Sequence, residues 1–179
     1  MYPFLRFAKE LWLNRKAPPL VPGAVHHARL ICWPWDLDGF MELNNGRALS
    51  LMDLGRLVML QRTVSFARLR ARGWTVAIAG ASVRYRRRIT VFDRLEVRSR
   101  IVGWDARFLY VENGIWRRGE CAVHGLFRLA VARPEGIVPP AEVCAAFGFD
   151  PVSPPLPDWV AAWAGADAMR PWPPMADAP

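Results

Sequence analysis

The hydrophobic pattern first sets one helix apart from the rest of the chain. In residues 47–62, apolar positions cover most of a helical wheel; they are Ala48, Leu49, Leu51, Met52, Leu54, Leu57, Val58, Met59 and Leu60. A helix that is apolar nearly all round is surrounded by other structure. The pattern therefore predicts a long, buried central helix, followed by a second, short helix at residues 63–72.

Beyond Trp74 the period changes to two, which is typical of β-strands. In residues 94–102, apolar positions alternate with charged ones, which predicts one buried face and one solvated face. Four strands are predicted in this region, at residues 82–89, 94–102, 108–117 and 120–131. With a first strand at residues 26–33, the order of strand, buried helix and antiparallel meander predicts an α+β fold.

The composition divides the chain into three parts. Residues 1–25 form an amphipathic N-terminal segment, residues 26–133 carry the predicted sheet and central helix, and residues 134–179 form a Pro-rich C-terminal extension. Eleven of the sixteen prolines lie in that extension, which we expect to pack on the domain or on a partner subunit. Short helices are predicted there at residues 141–147 and 159–169, with Asp158 as the cap of the second.

The N-terminal segment has two interpretations. Packing against its own domain is the simpler one. The other is peripheral contact with a membrane surface through an apolar face formed by Phe4, Phe7, Leu11 and Trp12. The chain contains no apolar run of 18 residues, and its N-terminus lacks the features of a secretory signal.

Composition and charge narrow the classes of partner. The formal net charge is +8, and arginine supplies almost all the cations, because lysine occurs only at Lys9 and Lys16. Arginine binds phosphate bidentately, so the excess favours a nucleotide-containing small molecule. Nucleic acid is disfavoured, since no helix-turn-helix, zinc-finger or RNP motif occurs; a solvated basic surface is the alternative. Nine tryptophans indicate an apolar pocket or an oligomer interface.

The cysteines indicate a reducing environment. Cys32, Cys121 and Cys144 are odd in number and have no CxxC spacing, so neither a disulfide framework nor a zinc site is indicated. We expect free thiols and a cytoplasmic location.

Candidate chemistry concentrates in the turn of residues 36–47, directly before the central helix. This turn contains three carboxylates and two asparagines: Asp36, Asp38, Glu42, Asn44 and Asn45. A helix N-terminus exposes backbone N–H groups and a partial positive charge. A carboxylate there can activate water or attack a carbonyl, while N–H groups between Met41 and Asn45 stabilise the oxyanion. A turn or cap role is the alternative for Asp38, which precedes a glycine, and we expect Asp36 to organise the turn.

This order of residues resembles the hotdog-fold thioesterases of the 4-hydroxybenzoyl-CoA thioesterase type, and among them the branch named for thioesterase superfamily member six. The motifs are Asp36-x-Asp38-x5-Asn44-Asn45, Val83-x-Tyr85-Arg86 and Ile89-x3-Asp93-x-Leu95-x-Val97, within a likeness that covers residues 26–133. The resemblance implies an antiparallel sheet wrapped around a long central helix. It also implies hydrolysis of an acyl-CoA thioester in a pocket built by a homodimer or a dimer of dimers, with no cofactor and no metal.

The resemblance also implies site residues. Asp38 corresponds to the catalytic aspartate, and the candidate catalytic set is Asp38, Glu42 and Asn45. Met41 and Glu42 stand where the family usually has glycine and histidine. Glu42 is either a second carboxylate that raises its neighbour's pKa or an exposed substitution. The same departure motivates an alternative function, a non-catalytic acyl-CoA or lipid-binding hotdog protein associated with a membrane.

Further side chains are candidates for binding the substrate. They are Trp35, Phe40, Met41, Asn44, Arg84, Arg86 and Arg88. Strand alternation would send the three arginines to one face, where they could contact the CoA phosphates; a solvated face or interface salt bridges is the alternative. The same alternation places Cys121 and His124 on opposite faces, which argues against a Cys/His catalytic pair.

Overall fold

The structure is a computed structural model that describes residues 2–171 and 173–174, and in it five consecutive strands follow three helices and one strand and precede two C-terminal helices. Five helices are described: α1 (Phe4–Asn14), α2 (Asn45–Val64), α3 (Phe66–Ala71), α4 (Pro140–Phe147) and α5 (Asp158–Ala168). Six strands are described: β1 (His26–Ile31), β2 (Thr75–Tyr85), β3 (Arg94–Trp104), β4 (Leu109–Arg117), β5 (Glu120–Arg133) and β6 (Gly136–Val138). In the described part of the chain, no helix combines the length and hydropathy that crossing a membrane requires.

All six strands form one antiparallel sheet in the order β1-β3-β4-β5-β2, with β6 added to the end of β5. Helix α2 packs in the concave face of this sheet, and Leu51, Leu54 and Val58 on it are fully buried. The helix lies very close to β3, because a Cβ added at Gly55 would lie 2.8 Å from the side chains of Val97 and Ser99. The predicted α+β fold, with an antiparallel sheet around a long helix, is confirmed.

A buried polar group sits inside this helix–sheet interface. Arg56 is 3% exposed, and its guanidinium donates to Asp53 at 2.6 Å and to Asn113 at 3.2 Å. Asn113 in turn donates to Ser99, and the Tyr2 hydroxyl donates to Asp53 at 2.8 Å. Every member has a partner, as a buried polar network requires. The network also fastens the N-terminal segment to α2.

Helix α5 covers part of the convex face of the sheet. Val160 on this helix and Tyr110 on β4 are fully buried in one hydrophobic cluster. The ring of Trp163 packs against the Tyr110 ring in an edge-to-face arrangement. Arg128 on β5 forms an ion pair with Asp167. Residues 172 and 175–179, the end of the predicted Pro-rich extension, lie outside the described residues.

Several predicted boundaries are wrong. The strand predicted at residues 82–89 begins at Thr75 and ends at Tyr85, because the amides of Arg86 and Arg87 both donate to the Ala122 carbonyl and break the ladder. The first strand ends at Ile31 rather than at residue 33. Asp158 is the first residue of α5, with Pro157 at the cap position, so it makes no capping bond. Strand β6 was not predicted.

Candidate active site

The turn before α2 is closed by its own backbone. The amide of Asp38 donates to the Glu42 carbonyl at 2.8 Å, and Leu37 and Leu43 form an isolated β-bridge. Oδ1 of Asp38 accepts from the Phe40 amide at 2.8 Å. Met41 adopts a left-handed conformation with φ of 60°, which costs a residue with a Cβ roughly 1–3 kcal/mol. This is the position at which the resemblance anticipates glycine.

Asp36 anchors the turn to the rest of the protein. It is 1% exposed, and its carboxylate lies 2.8 Å from Arg6 and 3.2 Å from Arg47. It also accepts from the Trp33 amide at 2.9 Å. The carboxylate is therefore buried between two arginines, which fits the predicted role of Asp36 in organising the turn.

The backbone N–H groups available to an oxyanion are fewer than the sequence suggested. The amides of Met41, Leu43 and Asn44 already donate to the carbonyls of Asp38, Ile89 and Asp36. Asn44 caps α2 by accepting from the Arg47 amide at 3.1 Å. Among the described residues, the amides of Asn45 and Gly46 have no recorded acceptor. The candidate oxyanion donors are thus the first two amides of the helix, Asn45 from the predicted range 41–45 and Gly46 beyond it.

A cavity opens beside this helix end. Its volume is about 240 Å³, and it is lined by Glu42, Leu43, Asn45, Ala48, Tyr85, Arg86, Arg87, Arg88, Ile89 and Val123. Arg88 donates to Glu42 at 2.8 Å, and this bond, with a further contribution from the charge of Asp38, raises the pKa of Arg88. The Tyr85 hydroxyl donates to the Asn45 carbonyl at 3.2 Å. Glu42, Asn45, Arg86 and Arg88 are therefore brought together, with Asp38 at the margin.

The remaining predicted residues do not line this cavity. The predicted shared face of the three arginines is wrong, because β2 ends at Tyr85 and leaves Arg84 on the strand and the other two beyond it. Trp35, Phe40 and Met41 are 66%, 81% and 65% exposed. Trp35 stacks on Trp33 with ring centroids 5.3 Å apart. Their apolar surface is left for a partner or a ligand to cover.

The expectation that Cys121 and His124 point to opposite faces is also wrong. Ile115 pairs with Val123 but Trp116 pairs with Cys121, so Ala122 forms a β-bulge that shifts the alternation by one residue. Both side chains then line one cavity of about 220 Å³ on the convex face, where His124 bonds Glu112 at 2.8 Å. Burial raises the pKa of the Cys121 thiol, which disfavours the nucleophilic thiolate.

Sequence reasoning missed two contributors. Tyr85 and Arg6 act on the turn from β2 and α1, which are remote in sequence from Asn45 and Asp36. The motif containing Tyr85 gave a signal for the first; nothing in the sequence pointed to the second. Within the described part of the chain, no three His, Cys, Asp or Glu side chains are grouped as metal ligands.

Comparison with known protein families identifies the family of this chain. Residues 32–164, which include the turn, α2 and strands β2 to β6, match the thioesterase-like superfamily. The chain belongs to the thioesterase-like superfamily. The recognised resemblance to hotdog-fold thioesterases is thereby confirmed.

Curated relatives of this superfamily member carry the name Protein THEM6. The Xenopus laevis protein is 34% identical over 102 residues, which are 56% of this chain and 49% of that protein. The Danio rerio protein is 33% identical over 88 residues, 49% of this chain and 43% of that protein. The chain therefore matches about half the length of these relatives or less.

Solved structures of thioesterases share the fold. A Thermus thermophilus thioesterase, solved in complex with coenzyme A and Zn, has a TM-score of 0.60 and 28% identity, and the match covers 68% of this chain and 90% of that one. The probable thioesterase YbaW of Escherichia coli has a TM-score of 0.58 and 18% identity, covering 62% of this chain and 84% of that one. The second likeness concerns the fold alone.

Proposed function

We propose that the protein is an acyl-CoA thioesterase in which Asp38 acts as general base or nucleophile. The chain belongs to the thioesterase-like superfamily, and one observation within it supports this proposal. The Asp38 carboxylate lies in the turn that leads into the N-terminus of α2, where the amides of Asn45 and Gly46 have no recorded acceptor among the described residues. This arrangement supports a base at Asp38 acting with an oxyanion site at the start of α2.

The turn prepares Asp38 for this role. Oδ1 is held by the Phe40 amide, while Oδ2 receives no hydrogen bond from any described residue. As general base, Oδ2 takes a proton from water, and the resulting hydroxide adds to the thioester carbonyl carbon. The carbonyl oxygen becomes an oxyanion that the helix amides stabilise. Collapse breaks the C–S bond and releases a carboxylic acid and the CoA thiolate, whose pKa near 8.5 makes it a good leaving group.

The arginines beyond β2 suit the phosphates of CoA. Arg86 is exposed and makes no ion pair with any described residue, whereas Arg87 pairs with Glu120 and Arg88 with Glu42. Arg86 is therefore the cation most available to a phosphate, and Arg88 becomes available when Glu42 releases it. Glu42 in this proposal positions Arg88 rather than reacting.

We further propose that the site is completed in a homodimer. A cavity of about 240 Å³ is smaller than the roughly 300–1,000 Å³ typical of ligand sites. Strand β2 is an edge strand, and most of its residues are exposed on both faces, with Ile78 46% exposed. Pairing of β2 with a second copy would cover this edge. Ile78→Lys should give monomers in light scattering, whereas Val152→Lys, at an exposed aliphatic residue outside β2, should not.

The deciding experiment compares Asp38→Asn with the wild type. Free thiol release is measured with short-chain, long-chain and aromatic acyl-CoAs, and Asp38→Asn is expected to lower it by at least about 100-fold. Asn retains an oxygen for the Phe40 amide, so the turn is preserved. Asp150→Asn is the matched control, because Asp150 accepts from the Val152 amide at the same distance of 2.8 Å. Undiminished turnover in Asp38→Asn would refute the mechanism.

A second candidate function is a non-catalytic acyl-CoA or lipid-binding protein. The ion pair between Arg88 and Glu42, at the position where the family usually has histidine, favours it. The same assay separates the two: binding of an acyl-CoA without thiol release from any substrate would select this candidate.

We also propose a cytoplasmic location with peripheral membrane contact through α1. The predicted apolar face is corrected, because Phe7 packs against the core while Phe4, Leu5, Trp12 and Leu13 are 69%, 89%, 60% and 53% exposed. Leu5→Asn with Trp12→Asn should abolish co-sedimentation with liposomes. The control pair is Val152→Asn with Met169→Asn, at residues 73% and 79% exposed; no binding by the wild type would exclude the contact.

A further inference from the structure

A third cavity lies between α1 and the edge of the sheet formed by β1 and β3. Its volume is about 610 Å³, and its lining comprises Arg6, Lys9, Arg29, Leu30, Ile31, Trp33, Arg94, Leu95, Glu96, Trp116, Arg118 and Gly119. We call it the basic groove. It shares no lining residue with the candidate active-site cavity. Its volume falls within the range of about 300–1,000 Å³ typical of small-molecule sites.

The charges of the basic groove are unbalanced. Five cationic side chains and one carboxylate line it. That carboxylate, Glu96, is already bonded by Arg98 and by His27, and these two bonds lower the pKa of Glu96 to about 2. Glu96 is therefore already bonded by two side chains that do not line the groove, and it does little to neutralise the cations inside.

Two arginines in the groove have no counter-ion. Arg29 on β1 is in register with Glu96, and Arg94 is in register with Ile31, so both side chains leave the sheet on the same face of neighbouring strands. Neither forms a hydrogen bond or ion pair with any described residue. The two arginines are diagonal neighbours on adjacent strands, roughly 7–8 Å apart at the backbone, so one anion could contact both guanidinium groups.

The groove also offers an unused buried donor and two aromatic walls. Arg6 donates a hydrogen bond from Nη2 to Asp36, but its Nη1 is buried without a hydrogen-bond partner among the described residues. Unpaired buried donors are rare because the lost hydration is costly. Trp33 and Trp116 form apolar walls, and Trp116 is fixed by the Arg98 guanidinium 4.0 Å from its ring centre.

We infer that the basic groove binds a ligand carrying a phosphate or diphosphate group, and that the guanidinium groups of Arg29 and Arg94 bind this group. Planar guanidinium groups match phosphate oxygens through paired, charge-assisted hydrogen bonds. The rings of Trp33 and Trp116 contact the ring or alkyl part of the same ligand. Because Arg6 also holds Asp36, the groove adjoins the candidate active site through one side chain. The inference does not depend on thioesterase activity.

The test is calorimetric titration of the full chain with inorganic pyrophosphate and with ADP. Co-sedimentation with vesicles of phosphatidic acid, against vesicles of phosphatidylcholine, forms a separate arm for a lipid headgroup. The variant is Arg29→Gln with Arg94→Gln, which are exposed and bond no described residue, so folding is expected to be retained and is checked by thermal unfolding. The control is Arg70→Gln with Arg107→Gln, two exposed arginines outside the groove that remove the same charge.

The expected result is saturable binding of at least one phosphate probe that weakens at least tenfold in the groove variant and less than twofold in the control. Binding of the soluble probes identifies a free phosphate compound, and binding of phosphatidic acid vesicles alone identifies a headgroup. No binding of any probe at low ionic strength would overturn the inference. Equal weakening in both double variants would do so as well, because it would mark non-specific attraction to a basic protein.

Discussion

Nη2 of Arg6 lies 2.8 Å from Oδ2 of Asp36, and this bond joins the N-terminal helix to the turn that leads into α2. The two residues are 30 positions apart, and Asp36 is 1% exposed. Arg47 approaches the other carboxylate oxygen at 3.2 Å. The position of the candidate catalytic turn therefore depends on a buried carboxylate held between two cations.

Asp36→Asn is expected to destabilise the protein by about 3 kcal/mol, because removing the charge leaves two arginines beside a buried neutral amide. Urea unfolding at neutral pH measures the effect. Glu135→Gln, at a side chain 73% exposed, is the control and should change stability by less than about 0.5 kcal/mol. Equal unfolding midpoints in the two variants would contradict this role for Asp36.

Met41→Gly is expected to stabilise the protein by about 1 kcal/mol. Glycine adopts a φ of 60° without the cost that a Cβ imposes, and Met41 is 65% exposed, so little burial is lost. Phe40→Gly, next to it and without positive φ, should instead destabilise by about 0.5–1 kcal/mol. Thermal unfolding of both variants gives the comparison, and a loss of stability in Met41→Gly would show that its side chain contributes more than its backbone costs.

Acid should destabilise the fold through His26. Burial and the neighbouring Arg62 lower the pKa of His26 to about 4 in the folded state, against about 6.5 when unfolded. Below pH 6.5 the unfolded chain binds a proton that the folded protein does not, so stability is lost as the pH falls from 6.5 towards 4. Between pH 7 and pH 5 the loss is about 2 kcal/mol.

The check is chemical denaturation of His26→Gln at both pH values. Its stability should fall about 2 kcal/mol less than that of the wild type over this interval, and the amide oxygen can still accept from Arg62. His27→Gln, at an exposed neighbour, should keep the wild-type sensitivity. A pH profile unaltered by the His26 substitution would place the acid sensitivity elsewhere.

Alanine should have opposite effects at two helical glycines. In α2, Gly55→Ala places a Cβ 2.8 Å from the side chains of Val97 and Ser99, and such overpacking costs about 1–3 kcal/mol. In α5, Gly165→Ala meets nothing within 4 Å and should stabilise by up to about 1 kcal/mol through helix propensity. Melting temperatures that move in the same direction would refute the close approach of α2 to β3.

Much of the fold could be predicted from the periodic pattern of apolar and polar residues. The apolar wheel of α2 and the alternation of β3 each identified an element, because burial on all sides and burial on one face leave distinct signatures. Strand β2 was misplaced, because its first half consists largely of small residues that give a weak pattern, and residues 86–89, which were assigned to it, lie beyond its end. The Ala122 bulge left no local sign either.

The candidate site divides in the same way. The crowding of Asp36, Asp38 and Glu42 before a helix was visible because all lie within one turn. The contacts of Arg6 with Asp36 and of Tyr85 with Asn45 join distant segments, so no local pattern encodes them. The occupied amides of Leu43 and Asn44 depend on carbonyls that only the folded backbone places nearby.

Strand β2 also determines where the molecule opens first. Its side chains are small and mostly exposed, and its pairing with β5 is interrupted between Ile78 and Gly80, so few buried contacts resist local separation. Its outward amides should exchange with deuterium long before those of β3 and β4, which have neighbours on both sides. If a second copy covers this edge, the exchange of these amides will slow as the protein concentration rises. The strand that opens most easily in a single chain would then form the interface between two copies.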